Sequence, residues 1–317
     1  LISHSDGTWE AGFQGDSFDL SPMWENVLSQ ISNGDVSSET LLDRLTLAVE
    51  LKKVWLEDEM ALYDVSGTFS RDGDIWRTVL LKSRISDDAN LELAIRPGTD
   101  GNRRLAMRSN NAGKVLKFLD YYENMIGGEL SVTGTFDDLA PGQPLKGQIL
   151  VRDYRVVNAP VLARLLSIMA LTGILDALEG DGLAFSDLSA QFAFQQGTFE
   201  IKEARASGTA LGFTANGKIF RYADVVDLEG TMIPAYALNS VFGRIPLLGD
   251  LFTGGEKGGG IFAAAYTMTG PIEEPVVSVN PLSALTPGFL RNVFGIIGKP
   301  GKKRSVFEEE PLQLQPQ

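Results

Sequence analysis

Three adjacent carboxylate pairs, Asp87-Asp88, Asp137-Asp138 and Glu273-Glu274, are the residues whose type and spacing could do acid–base chemistry. Two carboxylates at a fixed separation are enough for glycoside cleavage, so an enzyme acting on lipid or glycan is one reading of them. Each pair lies in a turn-like stretch (SDDAN, FDDLAPG, GPIEEP), and solvated surface carboxylates are the simpler reading. The run GGEKGGG (254–260) invites comparison with a phosphate loop but lacks its Gly-Lys-Ser/Thr ending. The chain has one histidine, His4, and no cysteine, which removes disulfides, thiolate metal sites and cysteine nucleophiles. A zinc site built on two histidines and an internal histidine triad go with them. The inventory favours a protein that is not an enzyme and carries no metal or cofactor.

Totals narrow the class further. A chain of 317 residues can bury one large core or two ordinary ones. Its net charge of −13 speaks against nucleic acid, which needs a basic face to neutralise phosphates. No apolar run reaches the ~20 residues of a membrane-spanning helix. The nearest, Val161 to Leu178, carries Arg164 and Asp176.

The elements that must position any site read mostly as strands. Runs such as LTLAVELKKVW, ALYDVSGTF and LELAIRP are punctuated by RDGD, SDDAN and PGTDGN, spaced as hairpin turns are. With 34 glycines this predicts an antiparallel meander. Helices are predicted after Ser21-Pro22 (PMWENVLSQI), over Asn110 to Tyr122, and over 160–178 with a break at Thr172-Gly173. In the last of these Leu162, Leu165, Leu166, Met169, Ile174 and Leu175 form an apolar side that something must cover. Either it packs over the sheet, or it serves as a lid or meets a membrane surface. Recurrent SGTF, TGTF, QGTF, SGTA and NGKI suggest degenerate copies of one hairpin unit. Ala206, Gly208, Ala210 and Gly212 suggest a stripe of small residues.

Phe192, Phe194, Phe199, Ile201, Phe213, Ile219 and Leu228 alternate so that one sheet face would be apolar. They are either ordinary core or the lining of a groove for acyl chains, because a large sheet with one apolar face must hide it and can curl around a ligand. Tyr236, Phe242, Ile245, Leu247, Leu248, Leu251 and Phe252 make either a cap on the sheet edge or the exit of that groove. Lys299, Lys302, Lys303 and Arg304 could touch anionic headgroups, but Glu308, Glu309 and Glu310 follow them closely, and 299–317 reads as a disordered tail.

The segment 225–295 resembles the C-terminal region of the AsmA-like superfamily, specifically its YhdP-type members. The resemblance is carried by P-x-Y-x-L-N-S (234–240), IPLLGDL (245–251), GGGIFAAAYTMTGP (258–271), EPVVSVNPLS (274–283) and TPGFLR (286–291). Over 1–220 it is a looser likeness of strand pattern. It implies a mostly β domain over 1–298, a long curved antiparallel sheet folded like a taco around a hydrophobic groove, with short amphipathic helices covering or capping it. It also implies a periplasmic location in a Gram-negative cell, with the inner-membrane anchor on a longer protein of which this chain is the C-terminal part. The function implied is non-enzymatic transport of phospholipid or another acyl-chain lipid between inner and outer membranes. A membrane surface at the C-terminal end and an unidentified envelope protein would be its partners. The alternative is a scaffold for outer-membrane assembly that holds no lipid.

Overall fold

The computed structural model describes residues 2–4, 7–22, 44–56, 60–73, 75–234 and 264–280. They form fifteen strands: β1 (Ile2–Ser3), β2 (Thr8–Asp19), β3 (Arg44–Trp55), β4 (Ala61–Asp72), β5 (Ile75–Ser86), β6 (Ala89–Pro97), β7 (Arg103–Ser109), β8 (Met125–Phe136), β9 (Leu145–Val156), β10 (Leu183–Gln195), β11 (Thr198–Gly208), β12 (Leu211–Phe220), β13 (Val225–Pro234), β14 (Ala264–Pro271) and β15 (Val276–Asn280). Helices are α1 (Ala112–Phe118), α2 (Pro160–Ile168) and α3 (Thr172–Glu179). All strands belong to one open, curved sheet whose spatial order follows the chain. Short turns account for most of this order, because a strand that reverses through two to eight residues pairs with its predecessor.

One pair departs from the antiparallel expectation. Strands β2 and β3 run parallel, from Thr8 opposite Arg44 to Asp19 opposite Trp55, so the sheet is mixed. A parallel pair requires the chain to travel back to its starting edge, and residues 20–43 supply that length. Of the helix expected there, Ser21 and Pro22 are helical and the rest lies outside the described residues.

The two long edges of the sheet differ. One carries the tight turns at 72–75, 97–103, 195–198, 220–225 and 271–276 and the longer loop at 136–145. The opposite edge carries α1, between β7 and β8, and the α2–α3 pair, between β9 and β10. Helix α1 starts at Asn111, whose side chain accepts the Lys114 N–H, and it buries Ala112 and Val115 against β8. Helix α2 begins with Pro160 at its first turn, as anticipated. The break between α2 and α3 falls at Met169–Leu171, earlier than Thr172-Gly173, which open α3 instead. Ala170 takes φ +55°, and the N–H groups of Met169, Ala170 and Leu171 turn back to Leu165, Ser167 and Leu166 carbonyls, closing the helix in a left-handed cap.

The Gly-Thr/Gly-Lys recurrences do not mark one hairpin unit. Gly67, Gly134 and Gly217 lie inside strands, Gly197 lies in a turn, and Gly208 ends β11. Nor do the small residues 206–212 form a stripe: Ala206 pairs with Phe213 while Gly212 pairs with Ser207, so the two point to opposite faces.

Candidate functional site: the apolar inner face

Cross-strand register assembles the site, because residues directly opposite each other share a face. One row runs Ala11, Leu47, Phe69, Val79, Ile95, Leu105, Gly134, Gly147, Phe192, Ile201, Gly217, Leu228, Met268, Val277, from β2 to β15 without a polar residue. A parallel row, Phe13, Val49, Gly67, Leu81, Leu93, Met107, Val132, Ile149 and Ala190, is equally apolar. The opposite face carries polar residues at matching positions, such as Glu50, Ser66, Lys82, Glu92 and Arg108. Thirteen spacings of ~4.8 Å give this face a length of about 62 Å along its curve.

All seven predicted lining residues share the inner face. Phe192 pairs with Ile201, Phe194 with Phe199, Phe199 with Ile219, and Gly217 with Leu228; Phe213 lies on the same side of β12 as Ile219. The aromatic members pack on one another: Phe192 stacks on Phe199 with centroids 5.2 Å apart, and Phe213 meets Phe185 edge-on at 5.6 Å. Gly147 makes room for this packing, since a Cβ there would sit 2.8 Å from the Phe192 ring and 2.0 Å from the Thr133 carbonyl oxygen.

Strict alternation would not have found the whole face. In β9 the inward residues are Leu145, Gly147, Ile149 and Val151, then Tyr154 and Val156; the extra residue, Asp153, has φ +52°. Strand β4 does the same at Asp64 (φ +48°) and β11 at Glu203 (φ +50°), where Asn216 accepts the Glu203 N–H at 2.7 Å. Each bulge switches the parity of its strand and tightens the local twist, which bends the sheet.

The inner face is covered unevenly. Over β8–β15 it is packed by helices. Leu165, Leu166 and Leu178 are buried and Leu162, Met169, Ile174 and Leu175 are half-buried against the same cluster, together with Leu130, Val151, Phe185 and Met232. Among the described residues the apolar side of 160–178 contacts the sheet's own cluster, as either a packed helix or a lid would. The sheet curls far enough for its turn edge to reach these helices: Arg164 of α2 donates to the Pro275 carbonyl at 3.0 Å and lies 3.6 Å from the Glu274 carboxylate. Arg221, in the β12–β13 turn, donates to the Asp120 carbonyl just after α1 and covers the Tyr121 ring at 4.7 Å. A second cluster, Leu51, Val54, Leu56, Leu62 and Val65 with Phe118 of α1, fills the helix edge of β3–β5. Between these clusters, toward the turn edge of β3–β6, Leu45, Leu47, Phe69, Val79, Leu93 and Ile95 are half-buried and belong to neither. Among the described residues this is an apolar trough that neither cluster fills.

Of the three carboxylate pairs, two lie in exposed turns and one does not. Asp87 and Asp88 bond Arg84 and Lys114 at the surface, and Lys114 with Ser86 holds the Asp88 carboxyl below the ordinary range. Glu274 is exposed beside Arg164. Asp138 corrects the expectation of solvation, because it is buried and receives both a side-chain fork and the backbone N–H of Arg103. Arg103 also donates to the Trp76 carbonyl and the Gln143 side chain and covers the Phe136 ring. Each guanidinium nitrogen of Arg103 has a structural partner, so the network clamps the turn edge and engages Asp138 as an ion pair. Sequence reasoning missed it because nothing local tells a turn aspartate that an arginine 35 residues earlier will cover it.

The polar face also has a cleft of about 540 Å³, lined by Glu92, Arg108, Glu129 and Arg152 among others. Among the described residues no cluster of His, Asp and Glu could hold a metal ion, and no helix is long and apolar enough to cross a membrane. The proposed cap or exit residues Tyr236, Phe242, Ile245, Leu247, Leu248, Leu251 and Phe252, and the tail 299–317, lie outside the described residues.

Comparison with protein-family models, curated proteins and solved structures finds no match. The AsmA-like resemblance therefore stands on its quoted motifs, of which 264–271 and 274–280 fall on β14, β15 and the turn between them.

Proposed function

We propose that this chain is a non-enzymatic carrier for acyl-chain lipids, phospholipid first among them, which move along the apolar inner face between the two membranes of a Gram-negative envelope. One observation supports this above others: an unbroken apolar row crosses fourteen strands, and among the described residues part of it belongs to neither buried cluster. A core needs apolar residues only where it is covered, so the half-buried apolar stretch over β3–β6 favours an occupant. Each acyl CH₂ moved from water onto such a face gains about 0.8 kcal/mol, which offsets extraction of a tail from a bilayer and confers no headgroup preference. Transport of this kind requires no catalytic residue.

The packed half of the sheet favours a second reading, a scaffold in envelope assembly that holds no lipid. There α1–α3 and the Phe192–Phe199 stack fill the space a tail would need.

Photo-crosslinking separates the two. A photoreactive phenylalanine replaces Leu47 or Leu93 in the trough, Phe194 in the packed half, or Glu92 on the polar face, and lipid adducts are read by native mass spectrometry. The carrier reading expects adducts at Leu47 and Leu93 and none at Glu92. Lipid-free protein at every position leaves the scaffold.

A further inference from the structure

We infer that α2 and α3 form a hinged flap, which an acyl tail displaces to reach the packed half of the inner face. This rests on the carrier reading above and names what governs access to the same apolar surface.

The apolar surface does not stop where the helices begin. A third row, Leu130, Val151, Leu188, Ala206, Phe213 and Met232, runs in register from β8 to β13. It belongs to one cluster with Leu165, Leu166 and Leu178 of the helix pair. Helix α2 packs on β15 and α3 on β10, so the pair bridges the two strands. Without the pair, this row would lie bare beside the two that cross β3–β6.

Both roots of the pair sit on left-handed backbone, and they lie side by side. Asn158, before α2, has φ +46°, and Gly182, after α3, has φ +83°. The Asn158 N–H donates to the Leu178 carbonyl at 3.2 Å, so entry and exit share one hinge line. Only glycine fits the second root, where a Cβ would meet Val157 Cγ1 at 2.4 Å.

The pair has little to hold it shut except apolar contact. Its helices have nine and eight residues and start at Ala159 and Leu171, neither of which caps with its side chain. Neither helix has an acid in its first turn or a base in its last. Helices so short persist by packing rather than by their own propensity. That packing is non-directional, so a tail of equal apolar area substitutes for it. The polar hold is Arg164, which donates to the Pro275 carbonyl at 3.0 Å and lies 3.6 Å from the Glu274 carboxylate. The Glu274 side chain is 82% exposed, and such a pair opens readily.

The chain has no cysteine, so introduced thiols report alone. The test uses the full chain with vesicles of equal parts phosphatidylethanolamine and phosphatidylglycerol. Spin labels at Ser167→Cys on α2 and Glu273→Cys in the β14–β15 turn should show a short and a longer distance, the longer gaining population with vesicles. Arg164→Ala should raise the longer population about two- to fivefold even without them. A photoreactive phenylalanine at Phe213 should take lipid. Bridging Arg164→Cys to Glu274→Cys with a short bismaleimide should cut those adducts about tenfold while adducts at Leu47 persist. Adducts at Leu47 with one fixed distance, or Phe213 adducts that survive the bridge, overturn the flap and leave the carrier reading standing. No adduct at either position overturns the carrier reading and the flap with it.

Discussion

Arg103 and Asp138 meet at 2.7 Å with side chains only 7% and 6% exposed, joining the start of β7 to the loop after β8. Removing one partner of such a pair strands the other charge in a dry site, so Arg103→Ala should cost about 3–5 kcal/mol. Replacing both by apolar residues of similar size, Arg103→Met with Asp138→Leu, should cost much less. Urea denaturation of the three proteins measures the difference.

Two buried tyrosines should respond oppositely to loss of the hydroxyl. The Tyr266 OH donates to the Thr214 carbonyl at 2.8 Å, whereas the buried Tyr154 OH has no hydrogen-bond partner among the described residues. Tyr266→Phe should therefore destabilise by about 1 kcal/mol, and Tyr154→Phe should be neutral or stabilising by up to about 1–2 kcal/mol. Thermal and urea unfolding of each variant at pH 8 decide this.

The same two phenols predict an alkaline weakness. Burial pushes both up from the ordinary tyrosine value, with Tyr122 and Asp187 adding to the effect at Tyr154. A folded-state pKa above the unfolded value means stability that is complete below about pH 10 and lost as pH rises toward the folded pKa. The wild-type chain should lose more stability between pH 9 and 11 than the double Tyr→Phe variant, as urea midpoints at the two pH values will show.

The helix pair should loosen without the protein unfolding. Arg164 ties α2 to the β14–β15 turn but is about half exposed, so Arg164→Ala should change global stability by less than about 1 kcal/mol. Hydrogen exchange over 160–179 should nonetheless accelerate, because neither α2 nor α3 has a side-chain cap at its start. Leu166→Ala, at a fully buried position, should cost about 2–5 kcal/mol.

The trough predicts a separation of stability from lipid binding. Leu47 and Leu93 lie outside both buried clusters, so Leu47→Gln with Leu93→Gln should lower stability by about 1–2 kcal/mol in total. Co-purified lipid, counted by extraction and mass spectrometry, should fall sharply if the trough carries it.

The sequence by itself determined that the chain is mostly strand, where most of its turns fall, and that Phe192, Phe194, Phe199 and Ile201 share an apolar face. These are local facts: turn residues and period-two alternation act over a few neighbours. It also set α1 and the α2–α3 pair, through apolar residues at helical spacing, a proline at a first turn and an apolar side in need of cover. Tertiary structure decided the rest. The bulges at Asp64, Asp153 and Glu203 reverse inward parity, and alternation counted along one strand cannot foresee an extra residue that only its neighbour's register reveals. The parallel seating of β2 on β3, the burial of Asp138 under Arg103, and the reach of Arg164 to a turn 111 residues away are long-range events. They fix which part of the inner face is filled and which is left half-buried, because burial depends on how far the whole sheet curls rather than on any residue's own preference.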